Sequence, residues 1–225
     1  MPGVQNAFIL SGEDAFAPVW KSRRMDALLP TPTTPTLTTT RRVLHVGCGA
    51  PSPDKLPTHF FAAGEWQELR LDIDPDVAPD VVASITDMAA VPGCSVDAVW
   101  SSHNLEHLFP HEVPLALAEF RRVLKPDGFA LMTMPDLQQI AELVAADRLA
   151  EPAYMSPMGP ISPLDMLYGH GASLARGNAF MGHRGGFTAR TLEAALRGAG
   201  FPIVRVMRDG SYALWATAYR GGVTG

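Results

Sequence analysis

Residues 201–220 read FPIVRVMRDGSYALWATAYR. Two strand-like runs, FPIVRVM and YALWATAYR, stand on either side of RDGS, where Asp209-Gly210 is a hairpin signal. Strands joined that tightly must be antiparallel. What precedes them is of another kind. From Arg41 onward, short apolar runs alternate with segments of helical spacing, as in a parallel sheet with helices on both faces. The strand candidates are RRVLHVG, LRLDID, DVVASI, VDAVWSS and FALMTMP. HEVPLALAEFRRVLK is a helix with Leu115, Leu117, Phe120, Val123 and Leu124 mostly to one side, stopped by Lys125-Pro126-Asp127-Gly128. DLQQIAELVAADRL is a second helix with Asp136 as N-cap, and TARTLEAALRGAG a third that ends at glycine. The fold class is therefore α/β: a doubly wound, mostly parallel, seven-stranded sheet that finishes in one antiparallel hairpin.

Composition agrees with one such domain. The 225 residues are 47% hydrophobic, enough to bury a core. A formal net charge of −5 argues against a nucleic-acid partner, which wants a basic footprint. No apolar run is long enough to span a bilayer, and the N-terminus carries no basic region ahead of an apolar one. Two cysteines, Cys48 and Cys94, make neither a disulfide framework nor a four-cysteine zinc site, which fits a reducing, cytoplasmic setting. A monomer or homodimer acting on a small molecule, with no membrane partner, is expected.

Two stretches fall outside the alternation. Residues 1–40 read as an N-terminal arm, with a short amphipathic helix carrying Trp20 and then the Thr/Pro-rich linker PTPTTPTLTTT. Residues 151–186, dense in Pro, Gly and Met, read as a small cap insertion within a domain spanning 41–220.

VLHVGCG puts Gly47 and Gly49 at the end of the first strand, where the backbone can turn and approach a ligand without a Cβ in the way. Asp72 follows 23 residues after Gly49, at the end of the second strand, and can accept both hydroxyls of a ribose. A dinucleotide loop would need a third glycine and a helix opening at once. Here Ala50-Pro51-Ser52-Pro53 follow, so a nicotinamide-dependent oxidoreductase is disfavoured.

These motifs, with SITDMAAVPG, DAVWSSHNLEHL, EFRRVLKPDGFALMTMP and the terminal hairpin, resemble the class I S-adenosylmethionine-dependent methyltransferases, over about Arg41 to Tyr219. The resemblance implies the Rossmann-like methyltransferase fold and S-adenosyl-L-methionine as cofactor. It implies that the first loop, with His45, Gly47, Cys48 and Gly49, passes along the cofactor's methionine end. It puts Asp72 on the ribose with Ile73 beside it, Asp87 and Met88 at the adenine, and Ser102 and His103 near the methyl group. The chain departs from the family in its short loop, APSPDKLP, where a third glycine and a long helix are common.

His103-Asn104-Leu105-Glu106-His107 matches H-x-x-E-H, an inverzincin zinc-peptidase spacing. That reading needs a continuous helix and a further carboxylate, and Pro110 interrupts the turn soon after. No metal is expected, and Glu106 and His107 read as packing or hydrogen-bonding groups. Methyl transfer to a hydroxyl or ammonium needs a proton acceptor, for which His103, His170 and His183 are candidates. Tyr154, Tyr168, Arg176, Asn178 and Arg184 give the insertion donors, aromatic surface and cations for a substrate, the two arginines hinting at an anionic group. The bland alternative pairs them with local acids or water. The expected acceptor is a small molecule methylated on oxygen or nitrogen, and the resemblance implies specialised or glycan-related metabolism. A non-catalytic cofactor-binding or scaffold protein on the same fold remains the alternative.

Overall fold

A computed structural model describes residues 40–52 and 55–221. The expected arm helix around Trp20 and the Thr/Pro-rich linker lie outside the described residues, apart from Thr40.

The strands are β1 (Arg41–Val46), β2 (Trp66–Asp72), β3 (Val81–Val82), β4 (Val96–Ser102) and β5 (Leu124–Pro135), then β6 (Tyr154–Ser156) and β7 (Gly159–Ile161) in the insertion, then β8 (Ile203–Arg208) and β9 (Ala213–Tyr219). The helices are α1 (Val113–Val123), α2 (Leu137–Ala145), α3 (Pro163–Tyr168), α4 (Gly171–Ala175) and α5 (Ala189–Gly198). Seven strands form one sheet in the order β3-β2-β1-β4-β5-β9-β8, and β6 and β7 form a separate small hairpin. The pairs β1–β2, β1–β4, β2–β3 and β4–β5 are parallel; β5–β9 and β8–β9 are antiparallel. The strand order reverses between β1 and β4, and a crevice opens outside the carboxyl ends of strands at such a point.

One face of the sheet, with Leu44, Val46, Val96 and Val99, packs against α1 and α5. Pro114 stands in the first turn of α1, where no amide donor is needed. This helix starts two residues later than the sequence suggests, because the Glu112 carboxylate accepts from the Phe109 N–H at 2.8 Å and closes a turn first. Its buried face is Val113, Ala116, Leu117, Phe120 and Val123; Leu115 is exposed, and Leu124 already belongs to β5.

The opposite face differs from the expectation of helices on both sides. Val43, Ala98, Trp100, Phe129 and Leu131 lie there with Trp215 of β9 and are covered by Phe60 and Phe61. Trp100 and Trp215 stack at 5.7 Å, and Phe60 stacks on Trp215 at 6.2 Å. The described residues between β1 and β2 hold turns and no helix, as Pro51 and Pro57 favour.

β3 is two residues long rather than the six of DVVASI. After it, the Ser84 Oγ accepts from the Thr86 N–H and turns the chain away from the sheet edge. At the terminal hairpin the left-handed residue is Tyr212 (φ 62°) rather than Gly210. Asp209 shapes the link instead, its Oδ1 accepting from the Ser211 and Ala213 N–H groups at 2.7 and 3.0 Å.

Candidate functional site

β1 ends in Val46, and the chain then turns through Gly47 (φ 59°) and Gly49 (φ 57°). A Cβ on Gly47 would stand 2.0 Å from the Asn104 side chain. Asn104 is there because its Nδ2 donates to the Val46 carbonyl at 2.7 Å, bracing the loop from the end of β4. Each peptide of the turn is held by a neighbour. The Cys48 N–H donates to the Leu71 carbonyl at 3.1 Å, and Lys55 Nζ donates to the Cys48 carbonyl at 2.6 Å. The Gly49 carbonyl accepts from Arg70 at 2.6 Å. Arg70 also bonds the Ala78 carbonyl at 2.7 Å, so one guanidinium joins the loop after β1 to the loop after β2.

Asp72 completes this frame. Its Oδ2 accepts from the Gly49 N–H at 2.7 Å and its Oδ1 from the Asp74 N–H at 3.0 Å. A carboxylate has about four acceptor sites, so two backbone bonds leave capacity for ligand hydroxyls.

Behind the loop lies a cavity of ≈ 530 Å³ at the carboxyl ends of β1, β4 and β5. Gly47, Ser102, His103 and Thr133 come to it from those strand ends. Trp100, Trp215, Tyr212 and Met166 make its apolar surface, and His45, Lys55 and Asp209 also line it. Such a shape, mostly apolar with a few convergent polar groups, suits a small organic ligand.

Two histidines on the wall have carboxylate partners. His45 is buried, and its Nδ1 lies 2.6 Å from Glu68 Oε1. Burial lowers its basicity, and the Glu68 hydrogen bond and charge only partly offset that, so the imidazole sits below its ordinary value. His103 has a left-handed backbone (φ 50°), rare for a residue with a Cβ, fixed by its N–H on the Thr133 carbonyl at 2.9 Å. Its Nδ1 lies 3.1 Å from Glu106 Oε1. Its side chain is 51% exposed, as it must be for a group that lines a cavity. Desolvation lowers its basicity, but the Glu106 hydrogen bond, the Glu106 charge and the Asp209 charge together outweigh this and raise it. The Glu106 carboxyl is lowered in turn: burial pushes it up, and the neighbouring His103 and His107 pull it down further.

Comparison with known proteins bears on this arrangement. Residues 44–132 match the family described as a methyltransferase domain. The sheet around that stretch has the Rossmann-like methyltransferase fold. No curated protein matches it by sequence. Among solved structures, the chain is similar to a SAM-dependent methyltransferase from Archaeoglobus fulgidus, at 17% identity over 88% of this chain and 90% of that one, with a TM-score of 0.51. It is similar to an O-methyltransferase family protein from Burkholderia thailandensis, at 14% identity over 81% of this chain and 52% of that one, with a TM-score of 0.55. It is also similar to the 1,6-didemethyltoxoflavin-N1-methyltransferase of Burkholderia thailandensis, solved with that substrate and S-adenosylhomocysteine, at 16% identity over 81% and 72% of the chains and a TM-score of 0.50. At these identities the likeness establishes the fold.

The residues expected at the cofactor divide into two groups. His45, Gly47, Cys48, Ser102 and His103 line the cavity. Asp72, Ile73, Asp87 and Met88 lie beyond its wall, on the β2 and β3 side. Ile73 and Asp87 are exposed, whereas Met88 is fully buried in the core and its backbone is tied to Glu119 and Arg122.

The insertion residues divide more sharply. Tyr154 lines the cavity and stacks on Tyr212 at 6.4 Å; burial, with Asp209 and Asp165 nearby, raises its hydroxyl. Tyr168, Arg176, Asn178 and Arg184 are exposed and are not on the wall. Arg176 bonds Ser173 Oγ, Asn178 caps the turn at Phe180, and Arg184 lies over the Phe109 ring at 5.0 Å. The two arginines therefore do not bring positive charge to the cavity. His170 bonds Ser173 Oγ at 2.8 Å and is also absent from the wall. His183 packs against His107 with ring centroids 4.9 Å apart, and burial lowers its basicity. Asn104, Arg70, Lys55 and Asp209 were not expected at the site, because Asn104, Arg70 and Asp209 reach it from elements distant in sequence and Lys55 stands in a loop with no spacing signal.

Proposed function

We propose that the chain transfers a methyl group from S-adenosylmethionine to oxygen or nitrogen of a small molecule held in the ≈ 530 Å³ cavity. The observation that supports this most is the pair of left-handed glycines, the second bonded to Asp72, at the point where the strand order reverses, with His103 on the cavity wall behind them. The residues present suit that cofactor. Gly47 and Gly49 leave room at the loop, Asp72 keeps acceptor capacity for ribose hydroxyls, and exposed Asp87 can take an adenine amino group. Lys55 stands at the loop as a cation for the methionine carboxylate.

S-adenosylmethionine supplies an electrophilic methyl group on a sulfonium. The chain's task is to hold the acceptor in line with it and to take one proton. Bound there, the cofactor would give up its methyl carbon to the acceptor lone pair, and its sulfur would keep the electron pair of the broken bond. His103 accepts the acceptor's proton, and Glu106 steadies the imidazolium through its Nδ1 contact. Trp100, Trp215, Tyr154 and Tyr212 offer flat apolar surface for an aromatic or similarly planar acceptor. No described helix is long and apolar enough to cross a membrane, and Cys48 and Cys94 are free thiols, which accords with a cytoplasmic setting.

Titration calorimetry of the full chain with S-adenosylhomocysteine, with NADH as the competing ligand, tests the cofactor. Binding of the first and not of the second is expected. A folded protein that binds no S-adenosylhomocysteine overturns the reading. Methyl release on a panel of planar phenols and heterocyclic amines then separates an enzyme from a non-catalytic binder.

A further inference from the structure

Glu106 carries one carboxylate oxygen that the proposed methyl transfer does not use. Its side chain is 1% exposed. One oxygen, Oε1, meets His103, while Oε2 is buried with no hydrogen-bond partner. An unpartnered, buried carboxylate oxygen is expensive to keep. What stands near it is a pair of imidazoles. Glu106, His107 and His183 each bring one potential ligand atom within 4.8 Å of the others.

The tautomers of the two rings are fixed by the backbone. His107 Nδ1 lies 3.1 Å from the Gly182 carbonyl, and His183 Nδ1 lies 3.0 Å from the Met166 carbonyl. A carbonyl only accepts, so each Nδ1 carries the hydrogen and each Nε2 keeps a lone pair. Imidazole ligands are oriented in this way, by a carbonyl or carboxylate on the far nitrogen.

From this geometry we infer that Glu106, His107 and His183 form a binding site for a divalent first-row transition-metal ion, zinc fitting the donor set best. Two imidazole nitrogens and a carboxylate oxygen suit zinc, with water in the fourth position. Tetrahedral zinc draws its ligand atoms to roughly 3.3 Å apart, given metal–ligand distances of about 2.0–2.1 Å. Small rotations of the three side chains supply that contraction.

The site is not the one H-x-x-E-H suggests on a helix. Leu105–His107 is a single 3-10 turn, and left-handed His103 turns its ring onto Glu106 Oε1. His103 thus supports a ligand, and the third ligand comes from the insertion. The backbone already joins these parts, since the Arg184 and Gly185 N–H groups donate to the Glu106 carbonyl at 2.8 and 3.1 Å. A bound ion would pin the insertion, which supplies Tyr154 and Met166 to the cavity, onto the loop that carries His103.

The test is cobalt(II) titration of the untagged, chelator-treated full chain, followed by visible absorption and by paramagnetically shifted proton resonances. One cobalt per chain is expected, with d–d bands of low coordination number and two shifted imidazole N–H signals. His183→Ala and Glu106→Gln should each weaken binding more than tenfold, while exposed His111→Ala leaves it unchanged. No cobalt bound by the folded wild-type chain overturns the site. So does wild-type binding with no shifted imidazole signal, or binding that a folded His183→Ala variant retains at full strength. The wild-type spectra decide the matter even where a variant fails to fold. None of these measurements depends on methyl transfer, so the site and the proposed activity can fail separately.

Discussion

Replacing Asp72 separates what the acid does for the loop from what it does for a ligand. In the structure it accepts the Gly49 N–H at 2.7 Å and the Asp74 N–H at 3.0 Å, and the residue is 9% exposed. Hydrogen bonds to a charged group are worth about 1.5–3 kcal/mol each, less where water replaces the lost partner. Gly49 and Asp74 both keep some surface, so water recovers part of that. Asp72→Ala should therefore destabilise the chain by about 2–4 kcal/mol. Asp72→Asn keeps one acceptor oxygen and loses the charge, and should lose about half as much. Urea unfolding followed by far-UV circular dichroism measures this, with an unchanged m-value expected because the surface exposed on unfolding is the same. A loss below about 0.5 kcal/mol in Asp72→Ala would refute the clamp, since surface changes without such a role fall in that range.

The same structure shows which control isolates the ribose. Arg70→Ala removes the bonds to the Gly49 and Ala78 carbonyls and loosens the loop without touching the carboxylate. If S-adenosylhomocysteine binding weakens in Asp72→Asn well beyond its weakening in Arg70→Ala at comparable stability, Asp72 contacts the ligand. Equal weakening in the two would leave Asp72 as a positioning residue only.

Three further outcomes follow from the geometry. Gly47→Ala forces a Cβ into Asn104 at a left-handed φ and should destabilise by about 2–4 kcal/mol, read as a lower Tm; a Tm within a degree of wild type would count against the loop conformation. His45 is held below its ordinary value of 6.5, so the unfolded chain binds more protons there, and stability should fall as pH drops through and below 6.5. His45→Gln should shrink the stability lost between about pH 7 and pH 5, and an unaltered pH profile would refute the burial argument. Asp136 is fully buried, caps α2 at Gln138, and meets Arg208 Nε at 2.9 Å; Asp136→Ala should cost about 3–5 kcal/mol in urea unfolding, and less than 1 kcal/mol would show that the pair is not stabilising.

Parts of the site were legible because they are local. VDAVWSS is β4 residue for residue, and the Gly47–Gly49 turn and Asp72 stand where strand ends and spacing put them. Asp136 does cap its helix. What was not legible depends on neighbours far apart in sequence. His45 meets Glu68 only because β1 and β2 lie side by side in parallel. The directions of Tyr168, Arg176, Asn178 and Arg184 depend on how two short helices and a 3-10 turn fold the insertion, and composition carries no record of that. His103 and His107 looked like a helical pair because four-residue spacing presumes a helix, and a single left-handed residue cancels the presumption.

The insertion joins the cavity to the group of side chains around Glu106. Tyr154 and Met166 put it on the cavity wall, while His183, with Nδ1 on the Met166 carbonyl, puts it against Glu106. Met166 therefore touches the cavity with its side chain and orients a histidine with its backbone. Glu106 does the reverse, its carbonyl holding the insertion and its carboxylate holding His103. Each residue therefore links the acceptor's wall to the group of side chains around the proposed base. A mutation far from the cofactor loop should then alter kcat and KM together, whereas changes at Asp72 should act on cofactor affinity alone. Comparing Met166→Ala with Asp72→Asn under saturating cofactor would expose that split, and identical kinetic behaviour in the two would show that the insertion and the loop act as one unit.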